Sequence, residues 1–186
     1  MDKRFLSAFR DPASKVILGR RLFPFCLKHR VRLLSIDSPL VTMSRPATPA
    51  DLLVALNICA EASRVDLGFW GEVEAKLLER KPEKYAAAVR AFVDHCHLAT
   101  WPKYWDGPKT KDSADGVGVP WPLMILTNLI ANGIEEQRAW EMPEAQAIWL
   151  STAFAARGGA KVELLTTEEE EMMEELRRAE LPPQQG

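Results

Sequence analysis

A mainly α-helical fold is what this sequence predicts: a single globular domain of about six to seven helices, with at most a minor two-stranded β element. Three observations carry that expectation. Apolar residues recur at three-to-four spacing through a succession of segments along the 186-residue chain. Several of those segments open on a proline or a capping hydroxyl and close on glycine. Runs of β-branched residues are confined to two short stretches.

In chain order, Lys15 to Leu22 is the first of those stretches, with Val16 and Ile17. After Pro24, Phe25 to Leu34 reads as a helix with Leu27, Val31 and Leu34 on one face. Thr48-Pro49-Ala50-Asp51 then supplies a capping hydroxyl, a proline at the first helical position and a carboxylate in the first turn. Behind it Leu52, Leu53, Leu56 and Cys59 or Ala60 make Asp51 to Ser63 a core-facing helix. Phe69 to Arg80 carries Trp70, Val73, Leu77 and Leu78 at helical spacing, and Pro82 opens Glu83 to His97, with Ala86, Val89, Phe92, Val93 and Cys96 as its stripe.

Pro122 starts a helix through Leu123, Ile125, Leu126, Leu129 and Ile130, stopped by Asn132-Gly133. Apolar on nearly every side, it belongs in the middle of the fold. Pro143 opens Glu144 to Arg157, with Ala147, Ile148, Leu150 and Phe154 inward and Gly158-Gly159 at its end. Lys161 to Leu165 is the second short β-branched stretch; the two stretches either pair with one another or form a small hairpin. Thr166-Thr167-Glu168-Glu169 is a capping box for a last helix, Glu168 to Glu180, and residues 182–186 read as a frayed tail. The expected division is a helical domain over 1–165 and an acidic helix with its tail over 166–186.

Composition excludes several classes. Apolar residues make up 47% and charged residues 27%, as in ordinary soluble domains, which rules out a wholly disordered chain or a collagen-like repeat. A chain of this length hides roughly 70% of its unfolded surface, enough for a core without a metal or disulfide staple. Cys26, Cys59 and Cys96 fit no zinc or redox spacing and sit among apolar neighbours, as small buried hydrophobes in a reducing compartment do. No secretory signal opens the chain, and the longest mainly apolar stretch, Val119 to Ala131, is too short to span a bilayer. The expectation is a soluble cytoplasmic protein with no membrane partner.

The net charge of −2 hides a gradient. Met1 to Arg32 carries nine basic residues, among them Arg20, Arg21, Lys28, Arg30 and Arg32, against two acidic ones. Thr166 to Gly186 carries seven glutamates, including Glu168, Glu169, Glu170 and Glu171, against two arginines. Such ends either steer toward partners or toward each other in neighbouring subunits, or are simply two solvated faces. Phosphate contacts from Lys28, Arg30 and Arg32 are conceivable, but no nucleic-acid recognition motif accompanies them, so that partner is disfavoured.

One segment reads as a long loop, 100–120, rich in proline, glycine, lysine and aspartate. It carries Trp101, Tyr104 and Trp105, with Trp121 just beyond. Those aromatics either anchor a partner or staple the loop to the core.

No constellation for catalysis stands out. Asp94-His95-Cys96-His97 points its groups in different directions on a helix, where a zinc pair needs i,i+4 spacing. Asp112 to Gly116 is similar to a calcium loop, but the frame puts Lys111 at the first ligand position. Gly116-Val117-Gly118 lacks the third glycine of a dinucleotide fingerprint, and His29 stands alone among basic residues. The reading is a protein that is no enzyme, with no catalytic residue, cofactor or metal.

Two stretches together carry a family likeness. One is Leu18-Gly19-Arg20-Arg21-Leu22-Phe23-Pro24-Phe25-Cys26-Leu27-Lys28-His29, followed by Ser38-Pro39 and Asp51 to Cys59. The other is Trp140-Glu141-Met142-Pro143-Glu144-Ala145-Gln146-Ala147-Ile148-Trp149 with the acidic helix behind it. In this order of features the chain resembles small tail-region proteins of long-tailed bacteriophages and prophages, particularly tail assembly chaperones. The resemblance implies a non-enzymatic helical protein of the host cytoplasm that binds the tape measure protein, or other tail proteins, and keeps it soluble until the tail tube forms around it. Grooves lined by Leu126, Leu129, Ile130, Ile148 and Phe154 are then expected to be partly core and partly client-facing, and oppositely charged ends to favour head-to-tail homo-oligomers. The alternative is a structural virion component, such as a head–tail connector or tail-completion protein. A small nucleic-acid-binding or regulatory helical protein comes third.

Overall fold

The computed structural model describes residues 2–10, 15–62, 65–96, 100–105 and 119–180, with residues 179 and 180 described by their backbone alone. Within them the chain is mainly helical with one small antiparallel hairpin, the fold class its periodicity predicts. The helices are α1 (Lys3–Ala8), α2 (Leu27–Ser35), α3 (Pro39–Thr42), α4 (Pro49–Cys59), α5 (Gly68–Glu79), α6 (Pro82–His95), α7 (Trp121–Ala131), α8 (Glu136–Glu141), α9 (Glu144–Arg157) and α10 (Thr167–Glu180). The strands are β1 (Lys15–Ile17) and β2 (Arg20–Leu22). No described helix is long and apolar enough to cross a membrane.

Local chemistry explains where elements begin. Ile17 pairs with Arg20, so Leu18 and Gly19 alone turn the hairpin, both with positive φ (47° and 77°). Primed two-residue turns of this kind match the strand twist, and glycine takes the second position without steric cost. At α4 the Thr48 hydroxyl accepts from the Asp51 amide (3.3 Å) while the Asp51 carboxylate accepts from the Thr48 amide (2.8 Å). Hydrogen bonds from Arg45 first, and then from Thr48, hold the Asp51 carboxyl down at about 2. Thr48→Ala is expected to cost about 1 kcal/mol, read as a lower thermal midpoint. The same reciprocal pair, Thr166 with Glu169, opens α10.

Three helices go beyond the sequence expectation: α1, α3 and α8. Each has six residues or fewer, too short to display an apolar stripe. Lys161 to Leu165 forms no strand; Leu164 makes an isolated bridge to Tyr104, flanked by Trp105 N–H to Glu163 O (3.0 Å) and Leu165 N–H to Lys103 O (2.9 Å). The start of the expected long loop is thereby tied down. Its residues 106–118, which include the calcium-like stretch, and also His97 and the tail from 182 lie outside the described residues.

Three apolar clusters organise the body. The first joins the hairpin to α2, α4, α5 and α6 through Leu22, Phe25, Leu33, Leu52, Leu56 and Phe92. The second gathers Leu27, Leu126, Leu129, Ala139, Met142 and Ala147 from α2, α7, α8 and α9. The third sets α1 on α9 through Ala8, Ala145 and Trp149. Cys26, Cys59 and Cys96 are all buried and unpaired, as read from their neighbours. Helix α2 contributes to two clusters, and the sites below are arranged around it.

Candidate functional site

The buried face of α2 differs from the expected Leu27, Val31 and Leu34. Leu27, His29, Arg30 and Leu33 are buried, while Val31 and Leu34 are only half-buried. Arginine goes inside because a carboxylate meets it there. Arg30 forks onto Glu144 through Nε–Oε1 and Nη2–Oε2 contacts of 2.7 Å each, with side chains 7% and 1% exposed. Burial pushes the Glu144 carboxyl up, and the hydrogen bonds from Arg30 work against that rise. The Phe25, Trp101 and Trp121 rings lie 4.9, 5.5 and 5.8 Å from the guanidinium carbon. Glu144 also donates its backbone N–H to Phe25 O (2.8 Å), so the start of α9 is seated on the segment leading into α2.

Two of the four loop aromatics are therefore staples. Trp101 and Trp121 meet edge to face at 5.4 Å over Arg30. Tyr104 and Trp105 stay exposed, the Tyr104 hydroxyl within 2.6 Å of Thr152 Oγ1. The apolar candidates divide as well. Leu126, Leu129 and Ile148 are core, because α9 lies directly along α7 and leaves beside Tyr104 and Ile148 only a hollow of about 240 Å³. Ile130 is exposed, and Phe154 is half-buried beneath the Arg157 guanidinium at 5.1 Å. Of the five residues expected to be partly core and partly client-facing, Leu126, Leu129 and Ile148 are buried, and Ile130 and Phe154 reach the surface.

Charges expected at opposite ends of the molecule largely meet partners within it. Arg20 forks onto Glu74 (3.0 and 2.8 Å), Lys28 reaches Glu61 (2.8 Å), and Arg30 is consumed by Glu144. Glu170 contacts Arg4 (3.5 Å) and Lys103, while Glu171 lies 3.9 Å from Lys3. The first turns of α10 thus sit against α1. Arg21, Arg32 and Glu168 are exposed and enter no ion pair among the described residues.

One arrangement resembles a nucleophilic triad. Cys26 Sγ lies 3.4 Å from His29 Nδ1, and His29 Nε2 lies 3.7 Å from Glu61 Oε1. In the sequence His29 reads as solitary among basic residues, yet Cys26 stands one helical turn before it. Burial, however, pushes the Cys26 thiol up and His29 down to about 4, so at neutral pH the sulfur keeps its proton and the imidazole is uncharged. At 3% and 1% exposure neither is open to a substrate. The trio packs the start of α2. Among the described residues no three His, Cys, Asp or Glu side chains are placed to hold a metal ion.

An open hollow lies elsewhere, between α2 and α8. Ala139 and Met142 anchor α8 in the second cluster, which sets Trp140 beside Val31 of α2. Val31 and Trp140 make the apolar surface of a groove of about 700 Å³. Lys28 and Arg32 rim it along α2, with Glu135, Glu136 and Glu141 along α8. In the sequence Lys28 and Arg32 stand out by charge, Val31 by its place on the Leu27–Val31–Leu34 face, and Trp140 only as the first residue of the second stretch of the family likeness. Such a trough suits an amphipathic helix with acid on one flank and base on the other. Compared with known protein families, with curated proteins and with solved structures, the chain matches none.

Proposed function

We propose that this chain is a non-catalytic helical chaperone of phage tail assembly, acting in the host cytoplasm, that holds an amphipathic segment of the tape measure protein in the groove between α2 and α8. The observation that carries the reading is that groove: an apolar surface of Val31 and Trp140 between one cationic and one anionic rim. Apolar contact shields the client helix from aggregation, and the two rims fix its direction. The resemblance of the order of sequence features to tail assembly chaperones is what points to the tape measure protein as client.

The test is co-expression with overlapping fragments of the tape measure protein encoded in the same genome, followed by pull-down through a tag on this chain. One fragment should be retained and kept soluble, and Val31→Glu or Arg32→Glu should weaken its capture at least about tenfold, a loss of roughly 1.4 kcal/mol. Retention of no fragment overturns the reading. Mass spectrometry of purified particles adds a second check, since a chaperone is absent from the finished virion and a connector is present at fixed stoichiometry.

A further inference from the structure

Helix α10 is docked the wrong way round for an amphipathic helix. Its ties to the body run from its first turns: Thr167 to Asp2, Glu170 to Arg4 and Lys103, and Glu171 to Lys3. Those residues share one face, and it is polar. The opposite face, at about 3.6 residues per turn, carries Met172 and Leu176, 62% and 59% exposed, flanked by Glu168 and Glu175. Neither Met172 nor Leu176 joins an apolar cluster. A 14-residue helix held at one end is marginal in water, and this one leaves its apolar stripe unused.

A second unpartnered face carries two exposed cations, Lys76 and Arg80, with the exposed Glu72 at its edge. Helix α5 turns Gly71, Ala75 and Leu78 inward. Its outward side presents Phe69 and Trp70, 71% and 79% exposed and packed edge to face at 5.4 Å, with Leu77 about two turns on. Lys76 and Arg80 lie on that same side, both exposed. Large aromatics beside cations are the composition of an interface centre, not of ordinary solvated surface.

We propose that α10 of one copy lies on the outward face of α5 of a second copy, so that chains associate head to tail. Met172 and Leu176 cover Trp70 and Leu77, and Glu168 and Glu175 meet Lys76 and Arg80. Charge selects this pairing over its rivals. Two α10 helices would set glutamates against glutamates, and two α5 faces would set Lys76 and Arg80 against their own kind. The contact joins unlike surfaces, so it propagates into a ring or a short filament instead of stopping at a two-fold dimer. It does not rest on the client groove, whose residues it leaves alone.

Sedimentation velocity of the full chain, without any client, tests it. Mass should rise with concentration above that of one chain, and Trp70→Glu or Leu176→Lys should each weaken association at least about tenfold. Mixing these two variants should restore a dimer that grows no further, because one good α10 meets one good α5. Circular dichroism checks that each variant keeps its helix content; should one lose it, Lys76→Glu with Arg80→Glu and Glu168→Lys with Glu175→Lys should each be monomeric alone and regain concentration-dependent growth when mixed, because both contacts are then complementary in charge. A monomer at every concentration overturns the proposal. So does association abolished by only one of the two variants, which would signal like-to-like pairing, or a mixture that stays monomeric.

Discussion

Glu144→Ala is expected to destabilise the protein by about 3–5 kcal/mol, a large part of the ~5–15 kcal/mol a domain of this size has. The cost is not the value of the ion pair. It is the penalty of leaving the Arg30 guanidinium at 7% exposure with no carboxylate, since the rings of Phe25, Trp101 and Trp121 offer only their faces. Arg30→Met should cost a similar amount, by stranding a carboxylate that is 1% exposed. Combining Arg30→Met with Glu144→Leu removes both charges and keeps apolar volume, so the double variant should be more stable than either single one. Urea denaturation of the four proteins measures this. A double variant no better than the worse single one would mean the pair contributes its own net attraction, and that burial is not what makes each charge costly alone.

That pair also marks where sequence reading stops. The starts of α4, α9 and α10 are legible because a cap or an opening proline involves residues within one turn of each other. The buried face of α2 is not: Arg30 is inside only because of a carboxylate 114 positions away. Once that pair is in place, α2 rotates relative to its apolar pattern, and Val31, read as core, becomes the edge of a groove. The second edge of that groove comes from α8, whose six residues are too few for any period to show. For α10 the charge run and its cap were readable, but which side would face the body was not. The ordinary rule points Met172 and Leu176 inward, and a hydrogen bond from Thr167 to Asp2 with ion pairs to Arg4 and Lys3 at the other end of the chain decide otherwise.

His29 should make the protein acid-sensitive in a window of its own. The ring is 1% exposed, and burial, reinforced by Lys28 and Arg32 and opposed by Glu61, holds its pKa at about 4 against an ordinary 6.5. Between those values the unfolded chain binds a proton that the folded chain refuses. Stability is therefore complete above about 6.5 and declines as the pH falls toward 4, by about 3 kcal/mol for a shift of this size. Asp51 acts in the same direction but lower, since its carboxyl is held at about 2. His29→Gln keeps a polar group beside Cys26 and removes the titration. Urea midpoints measured from neutral pH down to about 4 should fall steeply for the parent and stay nearly level for the variant, the two curves converging at the acid end. Parallel curves would show that His29 takes up its proton without leaving the folded state, with Glu61 close enough to accept the charge and the start of α2 open enough to let it in.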